Sequence, residues 1–487
     1  MPARRVDDAV GRRLLCRWSF CGLTRALHIG AVTELLWRSK YRDGVVVEPS
    51  RVGLPIHTDE MHEAGGRADG WLNRLVLGDH ADVLPRLVDD LAGQVSLVYV
   101  DPPFDTGGDF DFQASIPGAP EDVPRIAVPA YGDARGLDAW LASFHGASIL
   151  LRDLLHDGGS LYVHLDAHVA HYAKVLLDEV FGLDAFQREI VWRIGWVSGF
   201  KSRARGWIRN HDTLLFYAKG GRPATFHKEY IPYPPGYVRR DGKPPRGAGY
   251  PIEDVWNGSD VDRMDSIQIM SFSGEKVGYP TQKNEGLLAR IVRASSKPGD
   301  LVLDCFVGSG TTAVVAEKLG RRWVACDASP VAIHATRKRL LRLPQLSPMV
   351  VQHAGEPSVH PTSPRRPRTA GAAGETRELE AVVVVDGRNV AIELASFVLP
   401  MRAVPAPTRV RVDHWSQWID GWCIDWDYRG GALNSEARFW RAKKQTPLPL
   451  RATHAYGKSG RYTALVKAFD VLGGSTTKML EVDVVSP

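Results

Sequence analysis

Cysteine is scarce in this chain: five residues in 487, at positions 16, 21, 305, 326 and 423. They form neither a disulfide framework nor a zinc site, because Cys16 and Cys21 lack a second ligand pair, and a reducing cytoplasm fits best. No other metal-ligand set stands out, so no metal is expected. Long apolar runs are missing as well. No uninterrupted segment approaches the ~20 residues that span a bilayer, so no membrane partner is expected. The first forty residues mix arginines with Asp7 and Asp8 and hold no clean hydrophobic block, which argues against a secretory signal. Charge of one sign is also modest: the formal net charge is +5, so any nucleic-acid signal has to come from local clustering. The Gly-x-x-x-x-Gly-Lys-Ser/Thr loop of ATP sites does not occur. What is present is 44% hydrophobic and 24% charged residues, a globular balance with room for two or more domains.

The chain is organised around Val95-Ser-Leu-Val-Tyr-Val-Asp-Pro-Pro-Phe104. Its valine-rich start predicts a buried strand of a parallel sheet. Two prolines then force the chain stiffly out of the sheet, at the strand end where open α/β sheets bind ligands. The corner presents the Asp101 carboxylate, the Pro102 carbonyl and, past Pro103, the ring of Phe104. Those groups suit a planar base with an exocyclic amine: two acceptors for the amine hydrogens and a face for stacking. This stretch resembles the catalytic Asp/Asn/Ser-Pro-Pro-Tyr/Phe/Trp motif of DNA amino-methyltransferases.

Around the corner, strands alternate with helices. Asn73 to Asp79 predicts a strand, Ala81 to Leu91 a helix, Leu137 to Leu155 a helix, Ser160 to Asp166 a strand and His168 to Phe181 a helix; an α/β class follows. Residues 1–70 read as an extension without assignable chemistry. Asp105 to Asp133, rich in Gly, Pro and Asp, reads as a long loop, either a lid or DNA contact or simple disorder. His164 sits in a strand as a core histidine or a catalyst. From Arg188 to Arg246 basic residues outnumber acidic ones, with Trp and Tyr interleaved. Arg203, Arg205, Arg239 and Arg240 are the candidate phosphate contacts; a solvated basic face over a small aromatic core is the alternative.

The second cluster is Leu301-Val-Leu-Asp-Cys-Phe-Val-Gly-Ser-Gly-Thr311, a strand, a glycine turn and the start of a helix. Glycines let backbone amides approach a ligand, although one Gly-x-Gly alone also suits a tight turn or any nucleotide site. Asp304 directly before the turn would repel a pyrophosphate and attract the cationic methionine end of S-adenosylmethionine. Asp327 ends the next strand, where Rossmann-like folds place the ribose ligand.

The run from Tyr279 to Leu340 is similar to the cofactor region of β-class DNA methyltransferases, and the likeness covers most of residues 73–341. It implies Asp101, Pro102, Pro103 and Phe104 as the catalytic motif. Asp304, Phe306, Gly308, Ser309, Gly310 and Thr311 match the cofactor loop; Thr281, Gln282 and Lys283 match the segment flanking the methionine moiety. Asp327 matches the ribose ligand, and Asp79 an adenine contact. Cys305 and Asn284 stand where the family has proline. The catalytic motif precedes the cofactor motif, which marks the circularly permuted class and places target recognition at about 188–277. The implied reading is an adenine-N6-specific enzyme, similar to modification subunits of type III restriction–modification systems. It would be cytoplasmic, use S-adenosylmethionine and act on double-stranded DNA, with a restriction subunit and a homodimer as further partners. N4-cytosine methylation, or a DNA-binding protein that has lost turnover, is the alternative.

The expected fold is thus a Rossmann-like α/β methyltransferase domain over 71–341, a Pro/Arg-rich linker over 342–376 and an all-β sandwich over 377–487. Alternating segments at Ala381 to Val385, Val390 to Ala395 and Thr408 to Val412 support the last. Its end, Tyr456 to Asp470 followed by Gly473-Gly-Ser-Thr-Thr, resembles polycystic-kidney-disease-type β-sandwiches.

Overall fold

The computed structural model describes residues 34–62, 69–120, 122–194, 205–256, 275–356, 377–400, 404, 412–441 and 446–485. In chain order its first part runs β1 (Ile56–His62), β2 (Asn73–Leu77), α1 (His80–Leu91), β3 (Val95–Val100), β4 (Gly108–Ala114), β5 (Ile126–Asp133) and α2 (Leu137–Leu154). Next come β6 (Leu155–Leu165), α3 (Ala170–Phe181), β7 (Phe186–Arg193), β8 (His211–Ala218) and β9 (Val255–Trp256). The cofactor half follows as α4 (Glu285–Ser295), β10 (Leu301–Asp304), α5 (Thr311–Lys318), β11 (Arg322–Asp327), α6 (Pro330–Leu341) and β12 (Met349–Ala354).

One large mixed sheet carries nearly all of these strands, in the order β9-β7-β8-β6-β3-β10-β11-β2-β12-β1. The central run from β6 to β12 is parallel throughout, while β8 and β1 turn antiparallel toward the two edges. Successive β3 side chains face opposite layers, as the two-residue period of a strand requires. Val98 and Val100 pack with α1, α2 and α3, whereas Leu97 and Tyr99 pack with α4 and α5. This burial on both faces explains why β3 reads as an unbroken apolar run.

The last part is β13 (Glu378–Asp386), β14 (Asn389–Val398), β15 (Ile419–Asp425), β16 (Leu433–Asn434), β17 (Ala437–Trp440), β18 (Arg451–Ala455), β19 (Gly460–Asp470) and β20 (Ser475–Val484). A three-stranded sheet, β13-β14-β18, faces a four-stranded one, β17-β15-β19-β20. Ile392 and Leu394 from one meet Trp422, Ile424 and Val466 from the other in a shared apolar core. Trp418, Trp422 and Trp426 are buried, so their indoles serve packing. The segment Thr408 to Val412 lies outside the described residues except for Val412.

Three sequence expectations need correction. Asp105 to Asp133 is mostly a hairpin, β4 paired antiparallel with β5. Phe110, Phe112 and Ala114 alternate with exposed residues and seat one face on the core, a period-two signal masked by the surrounding Gly and Pro. The extension does not run to residue 70, because β1 joins the sheet. Nor does the linker begin at 342: β12 lies between β2 and β1, held by Met349, Val350 and Val351 in the core.

The sandwich is fused to the sheet rather than tethered to it. Its strand β16 pairs in parallel with β1, extending the sheet by one strand. Its core continues into Phe112, Ala114 and Ile126 of the hairpin, Tyr279, and Val331, Ala332 and Ala335 of α6. At the seam Glu60 of β1, 1% exposed, is paired with Arg337 of α6 at 2.8 Å and Lys467 of β19 at 2.7 Å. Asp420 of β15 takes Lys338 at 2.7 Å and His334 at 3.0 Å.

Candidate active site

β3 and β10 run side by side, with Leu97 opposite Val302 and Val98 opposite Leu303. From β3 the chain passes through α2 to β6; from β10 it passes through α5 to β11, on the other side. The strand order reverses here, and a crevice opens at the carboxyl ends of both strands. It holds a cavity of about 410 Å³ lined by both motifs, including Asp101, Phe104, Lys283, Asp304, Gly308 and Asp327. The two sequence clusters, some two hundred residues apart, therefore meet in one place.

At the catalytic corner, one Asp101 oxygen, Oδ2, accepts from Lys283 Nζ at 2.6 Å. The other, Oδ1, is buried and has no hydrogen-bond partner among the described residues. Such an atom costs free energy unless a ligand supplies a donor. Pro102 lines the cavity, and the Pro103 carbonyl accepts from Trp140 Nε1 at 2.6 Å, which pins the turn to α2. Behind Phe104 lies His164, its ring nearly parallel at 6.5 Å. His164 is fully buried and satisfied, bonded to Tyr99 Oη at 2.9 Å and Asp212 Oδ2 at 3.2 Å. Its reading as a core histidine fits this placement. The loop after Phe104 is latched by Asp133 of β5, which accepts from the Asp105 and Thr106 amides and the Thr106 hydroxyl.

On the cofactor side, Asp304 accepts from the Phe306 amide at 2.9 Å, and burial pushes its carboxyl up to about 7 against the pull of Thr312 and that amide. Asp327 accepts from the Gly308 and Ser329 amides, yet burial still pushes it up to about 6. Neither has a cation partner among the described residues. Gly308 and Gly310 have φ of 50° and 84°. A Cβ on Gly308 would lie 3.2 Å from the Tyr279 ring, and one on Gly310 would lie 2.6 Å from Thr336. Both glycines thus permit a tight cradle that bulkier residues would fill. Phe306, Ser309 and Thr311 line the same cavity, as does Asp79, which caps α1 through the Ala81 amide. Contact with His80 holds the Asp79 carboxyl down at about 2. Carboxylates without a counter-cation beside a glycine cradle are the acceptor set that suits a cationic, hydroxyl-bearing ligand such as S-adenosylmethionine.

Thr281, Gln282 and Lys283 line the same cavity, and each side chain also has a partner within the protein. Thr281 has φ of 55°, a left-handed conformation for a β-branched residue, and its hydroxyl meets Tyr131 Oη at 3.1 Å. Gln282 turns its amide to its own loop, accepting from the Val277 amide and donating to the Glu275 carbonyl. Lys283 points to Asp101. Asn284, where the family has proline, caps α4 by accepting from the Leu287 amide at 2.7 Å. Cys305 is buried and its thiol is pushed up by that burial, so it serves packing.

The basic stretch is less coherent. Arg203 lies outside the described residues. Arg205 and Arg240 are exposed, and Arg239 is paired with Asp241 at 2.9 Å. Tyr233 and Tyr237 stack, Tyr250 meets both edge-on, Trp192 is buried and Trp207 is fully exposed. The aromatics are therefore divided between a small local core and a free indole.

Sequence reasoning missed Tyr131, which overhangs the cavity from β5, and Tyr279, which backs Gly308. It also missed Thr336 and Arg339 of α6. Thr336 donates to the Gly308 carbonyl at 3.2 Å and Arg339 to the Ser309 carbonyl at 2.9 Å, so α6 braces the glycine loop from behind. The alternation of β4 and β5 was the available signal for Tyr131; nothing local marks α6.

Residues 95–338 match the family of DNA methylases that groups N6- and N4-directed enzymes. The type II methyltransferase M.EcaI of Enterobacter cloacae is 28% identical over 397 residues, 69% of this chain and 83% of that protein. The type II methyltransferase M1.MboII of Moraxella bovis is 33% identical over 189 residues, 36% of this chain and 69% of that protein. Among solved structures, the M1.HpyAVI–SAM complex is 17% identical with a TM-score of 0.36, covering 55% of this chain and 98% of that one.

Proposed function

The chain belongs to the N6/N4 DNA methylase family, and from that premise we propose that it methylates the exocyclic N6 of adenine in double-stranded DNA. The observation that carries the reading is the buried Oδ1 of Asp101, without a hydrogen-bond partner among the described residues, at the head of an Asp-Pro-Pro-Phe corner whose residues line the cavity shared with the cofactor loop. When bound, S-adenosylmethionine supplies a methyl group on a positively charged sulfur, which the amine nitrogen takes as the carbon–sulfur bond breaks and its electron pair stays on sulfur. Asp304 and Asp327 would hold the cationic and hydroxyl groups of that cofactor. Asp101 Oδ1 and the Pro102 carbonyl accept the two amine hydrogens and so aim the nitrogen lone pair. Phe104 stacks on the flipped base. Asp101 also receives the proton that nitrogen sheds and passes it to solvent. No covalent enzyme intermediate is needed; positioning and electrostatics supply the rate.

Asp rather than Ser at 101 supports adenine over cytosine. The catalytic corner precedes the cofactor loop in the chain, which supports a permuted motif order with the DNA-facing lobe between, where Arg205 and Arg240 supply phosphate contacts. Expression in a methylation-free bacterial host, followed by nucleoside mass spectrometry, tests the product. N6-methyldeoxyadenosine is expected. N4-methyldeoxycytidine would overturn the adenine assignment. The absence of both, from protein that still binds cofactor, would overturn DNA methylation as the activity.

A further inference from the structure

Lys283 joins the two halves of the site. Its backbone carbonyl accepts from the Thr311 hydroxyl at 2.9 Å, at the first turn of the helix behind the glycine loop. Its ammonium reaches the other way, 2.6 Å from Asp101 Oδ2 and 5.4 Å from the centre of the Phe104 ring. The two charged side chains are 10% and 18% exposed, so water screens the contact weakly. Among the described residues no other cation pairs with Asp101. The ammonium also helps hold the Asp212 carboxyl down, and Asp212 bonds to the imidazole stacked behind Phe104.

We propose that Lys283 is a positioning residue for methyl transfer: by occupying Oδ2 it fixes the Asp101 carboxylate with Oδ1 turned to the incoming amine, and it does not serve as a cofactor ligand. The inference rests on the methyl-transfer reading. A carboxylate held by one oxygen cannot rotate freely, and a single missing constraint of this kind leaves the acceptor free to swing away from the nucleophile. Lys283 also offsets the repulsion of a crowded acidic site. Burial is the main cause that raises the Asp304 carboxyl and the Tyr99, Tyr131 and Tyr279 hydroxyls, and the charge of Asp101 adds to the shift of each. The presenting loop is stiff: the Gln282 amide ties its base, and Asn284 starts α4 immediately after it.

The test compares full-length Lys283→Met, Lys283→Arg, Asp101→Asn and the Lys283→Met/Asp101→Asn double variant. Calorimetry with S-adenosylmethionine gives cofactor affinity, tritium transfer to DNA gives kcat and KM, and thermal unfolding without ligands gives stability. Lys283→Met is expected to keep cofactor Kd within about threefold while kcat falls about a hundredfold, the scale of a small misplacement of reacting groups. Lys283→Arg should recover a substantial part of the loss. The stability cost of Lys283→Met should shrink in the Asp101→Asn background, because the pair is then already broken. An unchanged kcat, or a loss carried by cofactor affinity instead, would overturn the proposal. So would a stability cost that is the same in both backgrounds. If the wild-type protein transfers no methyl group, the functional reading fails, whereas the stability cycle still decides the link between Lys283 and Asp101.

Discussion

At the seam between sheet and sandwich, Glu60 and Asp420 are buried as deeply as Asp304 in the crevice, where Asp327 is half-buried, yet their surroundings act in opposite directions. Arg337, Lys467 and His62 surround Glu60, and Lys338 and His334 surround Asp420; despite burial, both carboxyls are held well below the usual range. In the crevice burial wins, and the carboxyls rise to about 7 and about 6. A buried carboxylate that already has its cations is part of the architecture. One that lacks them is poised for a ligand that brings the charge. Asp101 stands between the two cases, with one oxygen satisfied by Lys283 and the other bare.

The largest expected effect lies at that intermediate residue. Asp101→Ala should lower methyl transfer by at least about a thousandfold, some 4 kcal/mol of transition-state stabilisation, while cofactor Kd stays within a few-fold of wild type. Tritium transfer beside calorimetry measures both. Retained turnover would move the catalytic group elsewhere and leave the unpartnered oxygen without a role.

The seam gives the next effect, and it falls on stability. Glu60→Ala leaves Arg337 and Lys467 buried without their counter-charge, and breaking such a cluster costs about 3–5 kcal/mol. Urea unfolding followed by tryptophan fluorescence should show the loss. A cost below about 1 kcal/mol would mean that water or a neighbouring group takes over, and the seam would then not be the fixed structural joint described above.

The same contrast explains what was legible in the chain. β3, β10 and β11 are short apolar runs ending in acidic residues, and the glycine turn follows directly, so local pattern suffices to find Asp101, Asp304, Gly308, Gly310 and Asp327. The seam was not legible, because Glu60 and Arg337 are 277 positions apart and each reads alone as an ordinary surface charge. Lys283 was visible as part of a motif, but its partner 182 positions away was not, and the motif pointed to the cofactor. The hairpin was hidden for a different reason. Its Gly, Pro and Asp content masked the alternation that lets Phe112 and Ala114 seat against the sandwich core.

The smallest expected effect is a pH dependence at Asp304. Its folded-state carboxyl is raised above the ordinary value of 3.8 to about 7, so the cofactor-free protein holds a proton there that the unfolded chain has released. Between those values the folded state binds more protons, and the group's contribution to stability falls as pH rises through the window. Cofactor binding runs the other way. A cationic ligand needs the ionised carboxylate, and each pH unit below its own value costs close to a factor of ten in the ionised fraction. S-adenosylmethionine affinity should therefore tighten roughly tenfold from about pH 5.5 to about pH 7, with uptake of ligand accompanied by release of a proton. Asp327, raised to about 6 by its own burial, titrates within the same window, so Asp304→Asn should remove most of the slope rather than all of it. Calorimetry in two buffers of different ionisation enthalpy measures both the affinity and the proton count. A flat profile in the wild-type protein, or an unchanged slope in Asp304→Asn, would show that the buried carboxylate beside the glycine turn does not meet the cationic end of the cofactor.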